Sequence, residues 1–140
     1  MVLTQLFLSA SFVKRKKMIQ VHLNEKDSIA ILKPNGPLSE SDFTSARDII
    51  DPFIENTGNL KGIIIYVKIF PGWDSFSALI THLKFVNSHH KKVSKVAFVT
   101  DSMIGDFAEL IAKHFVEAQI KNFAFDNFEE AKTWILSKKK

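Results

Sequence analysis

Apolar and polar residues alternate over residues 19–23, and after the polar turn Asn24-Glu25-Lys26-Asp27 a second apolar run, Ile29-Ala30-Ile31-Leu32, begins. A period of two marks a half-covered strand, so the two runs predict an antiparallel hairpin. Pro34, Asn35, Gly36 and Pro37 stop its second strand. The period then changes to three and four: Phe43, Ala46, Ile49, Ile50, Phe53 and Ile54 form one stripe of a helix, with Ser39 as N-cap and Asp42 three residues on. Pro52 removes a hydrogen-bond donor to the Asp48 carbonyl and is expected to bend or end this helix near there. Gly58 is the expected left-handed terminator.

Residues 62–67, Gly-Ile-Ile-Ile-Tyr-Val, are apolar without alternation, as in a central strand covered on both faces. A second helix is expected from Asp74, with Phe76, Leu79, Ile80, Leu83 and Val86 inward and His89, His90, Lys91 and Lys92 at its far end, where cations suit the helix dipole. Residues 96–99 form another buried strand, leading through Thr100-Asp101-Ser102 into a third helix with Ile104, Phe107, Ala108, Ile111 and Phe115. A short strand over residues 120–125 precedes a last helix with Phe128, Ala131, Trp134 and Ile135, for which Asn127 and Glu130 have the spacing of a capping pair. The order β-β-α-β-α-β-α-β-α predicts an α/β fold with a mixed, mostly parallel sheet, a leading β-hairpin and helices on its faces.

The length of 140 residues fits one domain, and 46% hydrophobic with 24% charged residues excludes disordered and low-complexity classes. Cysteine is absent, which excludes disulfides, thiolate metal sites and a cysteine nucleophile, and fits a reducing cytoplasm as the location. The net charge of +4 points toward nucleic acid until the charges are placed. Lys14, Arg15, Lys16 and Lys17 precede Met18, and Lys138, Lys139 and Lys140 end the sequence. Without these the basic residues are fewer than the 15 acidic ones, so the body is mildly acidic and a nucleic-acid partner is not expected. Lys91, Lys92 and Lys95 are the one internal basic cluster, read as a solvated helix end and the loop after it.

Three divisions follow: an N-terminal extension over residues 1–17, a domain over residues 18–137 and a basic tail over residues 138–140. The apolar stretch over residues 2–13 comes before its basic residues, the reverse of a secretory signal, and is too short to span a bilayer. Leu3, Leu6, Phe7 and Ala10 recur at helical spacing, as in an interfacial helix. The preferred alternative is that Met18 starts the domain and residues 1–17 are an upstream extension or a misplaced start. A native N-terminal mass corresponding to Met1 would count against the misplaced start.

The order of elements, the break Asn35-Gly36-Pro37-Leu38, the segment Phe70-Pro71-Gly72-Trp73-Asp74 and the segment Phe98-Val99-Thr100-Asp101-Ser102 resemble the SpoIIAA-like family, also described as STAS/SEC14-like. The resemblance covers about residues 18–137, and Gly72-Trp73-Asp74 is its most specific part. It implies a small mixed-sheet fold shared with anti-sigma-factor antagonists and the STAS domains of anion transporters, and more distantly with lipid-carrying SEC14 domains. It implies no established catalytic residue. In the antagonists a serine at the start of the second helix is phosphorylated by a partner kinase, which makes Ser75 a candidate phosphorylation site. Phe76 departs from that pattern, and helix capping by Asp74 and Ser75 is the preferred reading.

The loop over residues 68–77 leaves the carboxyl end of a central strand, a usual ligand position in α/β sheets. Phe70, Trp73, Asp74 and Ser75 are therefore candidates for a ligand or partner site, although Trp73 as an anchor packed on the sheet is preferred to a ligand clamp. Phe107 and Ile111 join them because the third helix is apolar over too broad an arc to face one sheet. Its excess could line a pocket, form a homodimer interface or lie under the last helix. Five histidines offer no metal site: His82 and His89 can share a face without an identifiable third ligand, the adjacent His89 and His90 diverge, and His114 is read as a boundary residue. Ser75, His82 and Asp101 make a triad only on paper, with no nucleophile elbow, and the Gly-rich phosphate loops are missing.

The expectation is a non-enzymatic STAS-type regulatory or protein-interaction module, without cofactor, metal or transmembrane segment, whose partner is an unknown protein. The alternative is a carrier or sensor of a small hydrophobic, lipid-like ligand held between the second and third helices; an enzyme is the weakest reading.

Overall fold

In the computed structural model, residues 18–36, 38–70, 93–103 and 119–138 are described. They form β1 (Ile19–Asn24), β2 (Ile29–Pro34), α1 (Glu40–Thr57), β3 (Leu60–Tyr66), β4 (Val93–Val99), β5 (Gln119–Phe123) and α2 (Phe128–Leu136). The expected second and third helices lie outside the described residues. The five strands make one sheet in the order β1-β2-β3-β4-β5. β1 and β2 are antiparallel, and every later pair is parallel. The fold is therefore the mixed α/β sheet with a leading hairpin that the hydrophobic pattern predicts.

The hairpin turn is fixed by its own side chains. The Asp27 N–H donates to Asn24 Oδ1 at 3.1 Å, the Asn24 amide donates to Asp27 Oδ2 at 3.1 Å, and Ser28 takes the left-handed conformation at φ 60°. At the start of α1 the buried Asp42 carboxylate accepts the Ser39 N–H at 2.8 Å and the Met18 N–H at 3.2 Å. One side chain thus closes the helix N-terminus and holds the beginning of β1 against it.

Pro52 does not end α1. The helix continues to Thr57, because Phe53 and Ile54 pack on the apolar cluster over the sheet and their burial offsets the hydrogen bond that proline removes. Gly58 then terminates it at φ 93°, with its N–H on the Ile54 carbonyl at 2.7 Å. Ile49, placed by spacing on the inner stripe, is in fact exposed at the edge of that face.

β3 is buried on both sides. Ile63 and Ile65 face α1 together with Ala30, Leu32, Val96 and Phe98, while Ile64 joins Ile29, Ile31, Ala97 and Val99 under Ala131 and Ile135 of α2. Gly62 is where α2 comes closest: a β-carbon there would stand 2.6 Å from Ile135 Cγ2. For Lys95 the structure corrects the reading of its cluster as solvated, while Lys91 and Lys92 lie outside the described residues. β4 begins at Val93, earlier than the hydrophobic run indicates, and Lys95 is only 6% exposed beneath the end of α2. Its ammonium donates to the Trp134 carbonyl at 2.8 Å, the Ser137 carbonyl at 2.9 Å and Ser137 Oγ at 3.1 Å, and lies 5.2 Å from the Trp134 ring centre. The ammonium's three acceptors and the negative end of the helix dipole make this burial tolerable, with the Trp134 carbonyl also accepting the Ser137 N–H and hydroxyl. At the other end of α2, Asn127 occupies the N-cap without a side-chain cap hydrogen bond, so the expected Asn127–Glu130 capping pair does not form; Ala131 N–H bonds the Asn127 carbonyl instead.

Two stability changes are expected. Gly62→Ala should cost about 1–3 kcal/mol in denaturant unfolding, and close to nothing in an Ile135→Ala background, where the obstructing side chain is gone. Lys95→Met should cost about 1–3 kcal/mol by leaving the Trp134 and Ser137 carbonyls without their charged donor, with exchange rising first at the amides of the last turn of α2.

Candidate functional site

Because β3 and β4 are parallel neighbours, the loops that follow them leave the same edge of the sheet, where ligands and partners of α/β folds usually sit. The pairing runs past the last strand residues, with the Val67 N–H on the Val99 carbonyl at 3.2 Å. Thr100, only 2% exposed, then works in both directions: its hydroxyl donates to the Lys68 carbonyl at 3.1 Å and accepts the Ser102 N–H at 3.1 Å. The Asp101 N–H reaches the same Lys68 carbonyl at 2.9 Å, and the Phe70 N–H donates to Ser102 Oγ at 2.8 Å.

The third loop is joined in the same way. Thr100 N–H bonds the Phe123 carbonyl at 2.9 Å, and Asp101 Oδ1 accepts the Phe125 N–H at 3.0 Å. Side chains of Thr100, Asp101 and Ser102 thus lace the ends of three strands into one rim. Beside it, Tyr66 stacks on Phe125 with ring centres 4.7 Å apart and meets Phe128 edge-on at 4.9 Å, and the Lys33 ammonium lies 5.8 Å from the Tyr66 ring centre.

Two large apolar residues project from this rim instead of packing beneath it: Ile69 is 61% exposed and Met103 75% exposed. Neither position stands out in the sequence as a site. Ile69 sits between Lys68 and Phe70 in a largely apolar stretch, so nothing in the local pattern sets it apart. Phe70, the described member of the expected site, is half-buried, packs against the α1 side of the core and has its amide held by Ser102. Trp73, Asp74, Ser75, Phe107 and Ile111 lie outside the described residues, as do His82, His89, His90 and His114. Asp101, the described member of the paper triad, spends one carboxylate oxygen on the Phe125 amide. Among the described residues no three His, Cys, Asp or Glu side chains gather as a metal site. No described helix is long and apolar enough to cross a membrane.

The lacing predicts a local effect. Thr100→Val keeps the shape but removes both hydroxyl bonds, and should lower stability by about 1–3 kcal/mol. Hydrogen exchange should quicken at Phe70, Asp101 and Ser102 before it does in β3.

Comparison with known proteins supplies the family. No curated protein and no solved structure matches the chain. Residues 29–136, which take in the sheet from β2 onward together with both described helices, match the SpoIIAA-like family, and the chain belongs to that family.

Proposed function

We propose that this STAS-type module is non-enzymatic and binds a partner protein through the carboxyl rim of its sheet, with Ile69, Phe70 and Met103 at the centre of the contact. Residues 71–75 continue directly from Phe70, and Trp73, Asp74 and Ser75 extend the surface in this reading; Phe107 and Ile111 supply its flank. The observation that carries the proposal is the pair of exposed apolar side chains on loops tied to one another through Thr100 and Ser102. Apolar groups held on braced backbone lose little conformational freedom on docking, so more of their burial appears as affinity. The hydroxyls of Thr100 and Ser102 and one oxygen of Asp101 are engaged with backbone groups, which suits a scaffold better than a reaction centre.

Chemical cross-linking in its own host, followed by mass spectrometry, tests the reading with wild type, Ile69→Asp and Met103→Asp. A partner linked to wild type through the rim should be recovered about tenfold less with either aspartate, the loss expected when a buried apolar contact gains a charge. Unchanged recovery with both variants would sink the proposal. So would a stoichiometric lipid-like adduct in native mass spectra, which would favour the carrier.

A further inference from the structure

The break that ends β2 holds the chain's one Asn-Gly pair, Asn35-Gly36. Asparagine followed by glycine brings its own reagents together: the side-chain amide carbon is an electrophile within ring-closing distance of the next backbone nitrogen, and glycine alone puts no β-carbon in the way. Among the described residues Asn24, Asn56, Asn59, Asn122 and Asn127 precede Glu, Thr, Leu, Phe and Phe. The Asn24 side chain is moreover tied to Asp27 through both its amide nitrogen and its oxygen.

The structure leaves this pair able to react. Asn35 is exposed, and its own N–H donates to the Met18 carbonyl at 2.8 Å. The hold ends there: among the described residues no hydrogen bond engages the Asn35 side chain, the Asn35 carbonyl or the Gly36 N–H. The peptide plane joining the two residues can therefore turn and bring the Gly36 nitrogen to Cγ of Asn35 without breaking a described bond. Glycine at this position is also demanded by packing, since a β-carbon there would stand 2.7 Å from Met18 Sδ.

We propose that Asn35 is a self-modification site, converted to isoaspartate and aspartate by attack of the Gly36 nitrogen, and that the conversion loosens β1. In the first step the Gly36 nitrogen bonds to Cγ of Asn35 and gives up its proton, while the Cγ–Nδ2 bond breaks and the side-chain nitrogen leaves with that proton as ammonia. Water then opens the five-membered ring at one of its two carbonyls. Opening at the main-chain carbonyl routes the backbone through Cγ as isoaspartate, whereas opening at Cγ leaves aspartate. Both products place a carboxylate where a neutral amide stood.

The location gives the conversion its effect. Met18 is held from two sides, its carbonyl by the Asn35 N–H and its N–H by the Asp42 carboxylate at 3.2 Å. β1 starts at the next residue and lies at the edge of the sheet, with β2 as its neighbour. A negative charge across Met18 from Asp42 works against the carboxylate that fastens this strand. The longer backbone of isoaspartate displaces the N–H that fastens it from the other side.

The test follows the amide directly. Full-length protein is held at mildly alkaline pH, where the attacking nitrogen loses its proton more readily, then digested at acid pH, which halts the attack, and the peptide masses are measured. Asn35 should lose its amide about tenfold or more faster than Asn24, Asn56, Asn59, Asn122 and Asn127, and Gly36→Ala should slow the loss by a similar factor. Because that alanine presses on Met18, Asn35→Gln serves as a second variant: its longer side chain has to close a six-membered ring, and the position should keep its amide. Loss at Asn35 no faster than at the other asparagines, or as fast in either variant as in wild type, would overturn the site. The converted protein, separated from the fresh form by ion exchange, should exchange its β1 amides about threefold or more faster, with those of β3 unchanged. Equal exchange in the two forms would overturn the loosening.

Discussion

Four consecutive positions of β3, Gly62 to Ile65, have to avoid water on both sides of the sheet, and the remaining architecture answers that requirement. One helical layer can shelter only alternate residues of a strand. α1 covers the side of Ile63 and Ile65, and α2 the side of Ile64. At about 1.5–3 kcal/mol for each fully buried isoleucine, leaving either side bare would forfeit a large part of a domain's net stability. The details of α2 follow from the same demand. A nine-residue helix offers only Ala131 and Ile135 as fully buried residues, so it must sit close, and a glycine beneath Ile135 allows it. Lys95 from the strand below and the Lys132–Asp27 ion pair at 3.3 Å fasten its C-terminal end and its flank.

The rim is built on a different principle. Parallel strands finish side by side, and their last backbone groups would be left without partners if the loops simply diverged. Three short polar side chains in succession, Thr100, Asp101 and Ser102, take up those groups from three loops. The backbone beside Ile69 and Met103 is hydrogen-bonded through these side chains, while the two apolar side chains themselves are exposed.

Much of this architecture was legible in the sequence because period and capping chemistry are local. The alternation at residues 19–23, the isoleucine run of β3, Ser39 with Asp42, and Gly58 all read correctly, since each depends on residues a few positions away. The misreadings share the opposite character. Pro52 does not end its helix, because Phe53 and Ile54 pack on distant strands, and Lys95 looks solvated until the carbonyls of Trp134 and Ser137, some forty residues later, arrive above it. Of the candidate site, Phe70 is the one residue named from the sequence that falls among the described residues, and it is half-buried against the core. Ile69 and Met103 were not legible, because exposure depends on which neighbours decline to cover a residue, and no periodic pattern encodes that.

The strand order carries a consequence for how the molecule comes into being. Each strand pairs with the one just before it in the sequence, so during synthesis the sheet can lengthen at one edge without parting strands already joined. The two faces do not mature together. Phe43, Ile50 and Ile54 of α1 are available before β3 has left the ribosome, whereas Ala131 and Ile135, which among the described helices pack on Ile29, Ile31, Ile64, Ala97 and Val99, are made last. Among the described elements, the helix over one side of the sheet is therefore made early and the helix over the other last, so a ribosome stalled before residue 128 would hold a sheet without α2.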